Sequence, residues 1–172
     1  CPFLMAGINT RIVRRTNAIA DFTYGQDFRY NEMVSYNQGL YGFLKALTML
    51  TTLGLLQASI KSKILFQILK NMVLPKPGEG PSENKMKDGF FTMKLIGYIN
   101  NVPKISVTIA GDSDPGYSAT AKMLTESALS MLLDRDKIPK SYGVLTPASG
   151  IGLTLIDRLN DKNISFTVDL KH

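Results

Sequence analysis

Five side chains along the sequence have the chemistry to hold or polarise a small molecule: Arg14, Tyr24, Glu32, Tyr117 and Lys122. Arg14, next to Arg15 in INTRIVRRTNAIA, offers a planar guanidinium that meets a carboxylate or phosphate through two parallel hydrogen bonds. The plainer reading of this basic side is a solvated or ion-paired helix face. Glu32 falls on the aromatic side of an alternating run, where a carboxylate needs a partner or holds its proton more tightly. The plainer readings there are a wet outer edge or a pair with a structural arginine. Tyr24 and Tyr117 are candidate hydroxyl donors. Tyr117 closes the turn Asp112 to Tyr117, which with Lys122 could orient a substrate carboxyl or carbonyl; otherwise Asp114 caps a helix and Tyr117 simply packs.

Other chemistries are excluded by composition. The single histidine is His172, the last residue, so neither a His-based zinc site nor an internal Ser-His-Asp or Cys-His arrangement is expected. The single cysteine, Cys1, cannot form an internal disulfide, which points to a cytoplasmic setting. The net charge of +6 comes without a nucleic-acid motif, and no nucleic-acid partner is expected. Two glycine pairs imitate a dinucleotide cradle. Gly78 and Gly80 have no apolar strand leading into them and stand beside Glu79 and Glu83. Gly150 and Gly152 lack the third glycine, Leu155 taking its place, and Pro147 and Ser149 intervene after the strand-like Gly143 to Thr146.

The elements that must position these residues are marked by period and by punctuation. Ile8, Ile12, Val13 and Ile19 predict an amphipathic helix over Gly7 to Ala20, and Phe28, Tyr30, Val34 and Tyr36 alternate as in a strand. Leu40 to Leu74 is the most apolar region. Its fifteen uncharged residues between Lys45 and Lys61 fall short of the roughly eighteen to twenty of a bilayer-spanning helix. With four lysines and no acid, it reads as core or dimer packing, or as a basic amphipathic surface for an anionic membrane or acyl chain, with Gly54 at a kink or close contact.

The stretch from Pro75 to Gly89 reads as a loop, with Ser82 and Glu83 as polar contacts or the start of a short helix. Phe91 to Ile99 and Ile105 to Ile109, joined through Asn100, Asn101 and Pro103, predict an antiparallel hairpin. Asp114–Pro115 and Thr146–Pro147 each pair a capping residue with a proline at a helix start. The first of these helices is expected to bury Ala121, Leu124, Ala128, Met131 and Leu132, with Lys122 and Glu126 as a surface pair. The second is expected to bury Ile151, Leu155, Ile156 and Leu159 before Ile164 to Val168 returns as a strand. The fold class that follows is α+β: one domain with an antiparallel or mostly antiparallel sheet, covered by helices from the Pro115, Pro147 and Leu40 regions.

The runs GDSDPGYSATAKMLTESAL and GVLTPASGIGLTLIDRLNDKNISFTV, with FTYGQDFRYNEMVSY and PGEGPSENKMKDGFF, resemble the C-terminal part of saccharopine dehydrogenase-like oxidoreductases, a family that includes the trans-acting enoyl reductases. The resemblance implies a substrate-binding and dimer-forming domain over residues 1–172. Its N-terminal Rossmann partner, which would bind NAD or NADP, lies outside this sequence, and the first residue being Cys1 agrees with a piece of a longer polypeptide. Hydride chemistry would then take place where the two domains meet, and this fragment alone would hold no cofactor and catalyse nothing. The implied substrate is an amino-acid adduct or a lipid-like enoyl or keto compound. Two readings from other classes stand beside this one: a lipid-binding or membrane-peripheral module, and a purely structural dimerisation domain.

Overall fold

The computed structural model describes residues 1–72 and 78–170. Leu74, Pro75 and His172, which figure in the expectations above, lie outside the described residues. The chain folds as two compact units, Cys1–Gly80 and Pro81–His172.

The first unit is helical, with α1 at Ala6–Ile19, α2 at Leu40–Lys61 and α3 at Lys63–Met72. The expected strand at Phe28 to Tyr36 does not form. Residues 28, 30, 32, 34 and 36 are half-buried and residues 29, 31, 33 and 35 exposed, so the period of two is real. The segment nevertheless makes only one isolated bridge, Pro2 with Met33, flanked by backbone hydrogen bonds of 2.8 Å exchanged between Cys1 and Val34. Alternation specifies which side faces inward; a ladder needs a neighbouring strand as well.

Helix α2 runs unbroken through Gly54, where an added Cβ would meet nothing within 4 Å, so the expected kink or close contact is absent. The break falls instead at Ser62, whose extended backbone (φ -129°, ψ 110°) separates α2 from α3. Core packing of this region is not observed either: Leu40, Phe43, Leu44, Leu47, Leu50 and Leu55 are all exposed, and only about a twentieth of the most apolar stretch of α2 is buried. By length and composition α2 could cross a membrane. Among the described residues the first unit buries Thr16, Asn17, Gly42 and Ser59, and no large apolar side chain.

The second unit is α+β. It comprises α4 (Glu83–Lys87), β1 (Phe91–Ile99), β2 (Val102–Gly111), α5 (Ser118–Leu133), α6 (Pro147–Gly150), α7 (Leu153–Asn160) and β3 (Ile164–Leu170). The strands form one antiparallel sheet in the order β1-β2-β3. Asn100 and Asn101 turn the hairpin with φ of 51° and 62°, the left-handed pair that a two-residue turn requires and that asparagine tolerates best among residues with a Cβ. A register shift between Gly97 and Tyr98 interrupts β1. Part of the expected Pro75–Gly89 loop is the short helix α4, and Ser82 caps it by accepting from the Lys85 amide.

Register puts Phe91, Ile109, Phe166 and Ile164 on one face of the sheet, and α5 and α7 cover that end. The core there is Ala119, Leu159 and Ile164, with Met123 and Leu155 against it. Gly111 permits the closure, since a Cβ at this position would sit 2.2 Å from the Phe91 ring.

The expected inner face of α5 is turned outward. Ala121, Leu124, Ala128, Met131 and Leu132 are exposed, Leu124 at 71%, while Ala119, Glu126 and Ser130 are buried. The helical period was right and the side was wrong. The polar side can face inward because its groups are satisfied there: Ser130 Oγ donates to the Glu126 carbonyl (2.7 Å), and the Glu126 carboxylate meets Arg158. The helix also starts later than Pro115. Residues 115–117 form a turn in which the Tyr117 amide donates to Asp114 Oδ2 at 2.7 Å, and α5 follows at Ser118. At Thr146 the expected cap is present as a full capping box with Ser149, followed by a second start at Gly152.

Candidate functional site

In the first unit a hollow of about 360 Å³ is lined by Arg14, Asn17, Phe22, Gln26, Asp27, Phe28 and Arg29. Helix α1 presents Arg14 and Asn17, and the chain then folds back over them. Asn17, 5% exposed, organises this return: its Nδ2 donates to the Gly25 carbonyl (2.9 Å), and its Oδ1 accepts from the Tyr24 amide (2.8 Å). Asp21 and Phe22 stand at φ 49° and 57°, a left-handed conformation costly for a bulky side chain, of order 1–3 kcal/mol. Neither Arg14 nor Arg29 makes a hydrogen bond or ion pair among the described residues. Two solvent-facing guanidinium groups and the Gln26 amide in one hollow can meet a carboxylate or phosphate, against the opposing charge of Asp27 on the same lining.

Tyr24 and Glu32 also belong to this unit. The Tyr24 ring leans on Phe28 with centroids 5.3 Å apart. Both Glu32 carboxylate oxygens are engaged by neutral donors, Oε2 by Asn9 Nδ2 (2.9 Å) and Oε1 by the Tyr30 hydroxyl (2.6 Å). Burial, and then the hydrogen bond to the Glu32 carboxylate, push the Tyr30 phenol up to about 12. The raised value means that the folded state keeps the proton; the stability this contributes is present below about pH 10 and is lost as pH rises through about 12. Spectrophotometric titration should therefore find the Tyr30 phenol still largely protonated at about pH 11, and Glu32→Gln should lower its pKa.

Tyr117 and Lys122 lie in the second unit. Lys122 is not paired with Glu126 as expected: its Nζ donates to Asp112 Oδ1 at 3.0 Å, while Asn163 Nδ2 holds Asp112 Oδ2 at 2.8 Å. The Lys122 and Asn163 hydrogen bonds keep the Asp112 carboxyl below its ordinary range. Lys122 thus fastens α5 to the β2–α5 turn, and Asn163 joins the same carboxylate to the α7–β3 turn. Tyr117 is exposed beside it, with its amide tied to Asp114.

Glu126 belongs instead to a cluster the sequence did not reveal. Arg158 donates through Nε to Glu126 Oε2 (2.7 Å) and through a terminal nitrogen to Asp134 Oδ2 (2.9 Å), and Lys137 reaches Asp134 Oδ1 (3.0 Å). The Glu126 side chain is only 6% exposed. Burial works against the Arg158 charge, but the hydrogen bonds from Glu126 and Asp134 outweigh it and its pKa is raised; Lys137, with help from Arg158, lowers that of Asp134. This cluster clips α7 to α5.

Three of the five sequence candidates, Arg14, Tyr24 and Glu32, thus fall in the first unit, and Tyr117 and Lys122 in the second. Asn17 and Arg29 were missed. The signal for Asn17 was its place at the end of an amphipathic helix a few residues before Gly25, where an amide side chain closes a turn. The Gly150–Gly152 spacing does not form a dinucleotide cradle: residues 143–146 are not a strand, and Pro147 opens a capped helical turn.

No protein-family model matches the chain, and no solved structure does. Curated proteins do match. One from Mycobacterium tuberculosis (strain ATCC 25618 / H37Rv), provisionally named a trans-acting enoyl reductase, is 37% identical over 167 residues, covering 95% of this chain and 39% of that protein. The trans-acting enoyl reductase of Mycobacterium bovis (strain BCG / Pasteur 1173P2) is 36% identical over 161 residues, 91% of this chain and 38% of that protein. That of Mycobacterium ulcerans (strain Agy99) is 32% identical over 176 residues, 99% and 41% respectively. The chain spans about two fifths of the length of these relatives, and the similarity runs over nearly all of its own length.

Proposed function

We propose that this chain is the C-terminal, substrate-holding part of a saccharopine dehydrogenase-like enoyl reductase, whose NAD or NADP is carried by an N-terminal Rossmann domain of the same protein. The observation that carries the reading is the similarity to trans-acting enoyl reductases over 91–99% of this chain. An enoyl reductase saturates a carbon–carbon double bond next to a carbonyl. Its substrate is an acyl chain with an activated head, and the contribution of this chain is to bind and orient that reactant. Arg14 and Arg29 hold an anionic group of the substrate in the hollow behind α1. The outward apolar stripe of α5 supports the pairing of two copies, and the absence of cysteine pairs supports a cytoplasmic setting.

The test compares this chain with the full-length protein. Titrated with NADPH or NADH and followed by nicotinamide fluorescence, the chain alone should show no saturable uptake and the full-length protein should bind. Stoichiometric uptake by the chain alone would overturn the division of labour. In the full-length protein, Arg14→Met should raise KM for the enoyl substrate about tenfold or more with a smaller effect on kcat, as expected for removal of one charged hydrogen-bonding partner.

A further inference from the structure

The geometry points to α2 and α3 as a membrane-seating surface: we infer that this helix pair seats on a bilayer carrying anionic lipids. Leu40, Phe43, Leu44, Leu47, Leu50 and Leu55 share one broad side of α2 by their three-and-four spacing, and all are exposed. At 22 residues, α2 lays that stripe along about 33 Å.

The polar groups of α2 are arranged for an apolar surrounding. Thr48, Thr51 and Thr52 donate to the carbonyls of Leu44, Leu47 and Thr48 at 2.8 to 3.1 Å, and Ser59 donates to that of Leu56 at 2.6 Å. Hydroxyls that bond back to their own helix can enter hydrocarbon without losing a partner to desolvation.

Charge chooses the lipid. From residue 40 to residue 72 there are four lysines and no acid, and residues 1–80 hold nine of the chain's twenty Lys and Arg but four of its fourteen Asp and Glu. On α3, Lys63, Gln67 and Lys70 recur on one side, while Ile64 and Ile68, both exposed, occupy another. Lys63 and Lys70 also line a hollow of about 500 Å³ with Ser59, Ile60 and Phe66, which sets two cations beside apolar carbon. At the other end of α2, Lys45 lies over the Tyr41 ring, 4.5 Å from its centre, the combination of cation and amphipathic ring that suits a headgroup layer.

A second copy of the chain offers α3 the same lysines and no acid from this region, so like charges would meet across that contact; an anionic headgroup layer is the complementary occupant.

The experiment uses the full chain, which has no tryptophan, so that Leu47→Trp introduces a single reporter. Vesicles of phosphatidylcholine with phosphatidylglycerol should float the protein and blue-shift the reporter; phosphatidylcholine alone should do so about tenfold less well, and added salt should release the protein. Lys63→Glu with Lys70→Glu should weaken binding about tenfold or more, Leu44→Ser with Leu50→Ser should abolish it, and Leu124→Ser in the second unit should leave it unchanged. Equal binding to neutral and anionic vesicles would overturn the inference. So would a protein that never floats and sediments as a dimer dissolved by Leu44→Ser with Leu50→Ser, which would assign this face to a second copy.

Discussion

Ile164→Ala is expected to lower the thermal midpoint of the second unit by roughly 5–15 °C. Ile164 is 1% exposed, and with Ala119 and Leu159 it makes up the enclosed cluster beneath the sheet. Shortening an enclosed isoleucine to alanine costs about 2–5 kcal/mol, the spread reflecting how far the walls collapse. In a chain of this size each kcal/mol moves the midpoint by roughly 2–4 °C. Collapse is limited here because Phe91 already fills the space over Gly111. Leu124→Ala removes the same number of carbons from an exposed site and should stay within about 0.5 kcal/mol of the parent. Circular dichroism melts of the two variants decide which side of α5 faces inward: comparable losses would reverse the assignment.

The second large effect falls on the ionic clip. Glu126→Ala takes from Arg158 its more enclosed partner while leaving Asp134, and the midpoint should drop by roughly 5 °C, a loss limited because Arg158 is part-exposed and still paired. Glu126→Gln retains an acceptor and should lose about half as much. The double substitution with Arg158→Met should cost far less than the two single losses added, whereas Lys122→Met with Glu126→Ala should be additive, since Lys122 pairs with Asp112. Asp134 sets the pH dependence. Its folded pKa is lowered, so the stability it contributes is present above the ordinary carboxylate value near 4 and is lost as pH falls through the lowered value. Additivity between Glu126 and Arg158 would dissolve the clip as an explanation.

Much of the second unit was legible from local chemistry. The Asn100–Asn101 turn, the antiparallel pairing, the Thr146 cap and the Ser82 cap each depend on residues adjacent in sequence, and each is found where the sequence places it. What required tertiary knowledge was less accessible. The apolar stripe of α5 gave the correct period but the wrong side, because the rule that apolar groups turn inward assumes that the domain covers all its own apolar surface. The same assumption placed the Leu40 region in a core. The segment from Phe28 to Tyr36 alternates correctly without a ladder, since pairing depends on a distant partner. Among the site candidates, Arg14 was found from its residue type. The roles of Asn17 and Arg158 depend on contacts with segments well removed in sequence, and no local spacing announces these.

Among the described residues β1 and β3 are the two edges of the sheet, and they differ. Along β1 the shift at Gly97–Tyr98 puts the backbone out of step, and Lys94 stands on the same strand, so an incoming strand would lose its match partway along. Along β3 the pairing register from Ile164 to Leu170 is unbroken. Any extension of this sheet, whether by orderly addition or by the misassembly that precedes aggregation, is therefore directed to the β3 side. A proline at Val168, whose amide points away from β2 as does that of Phe166, which donates to Asn160 Oδ1, would close that door while leaving the hairpin untouched.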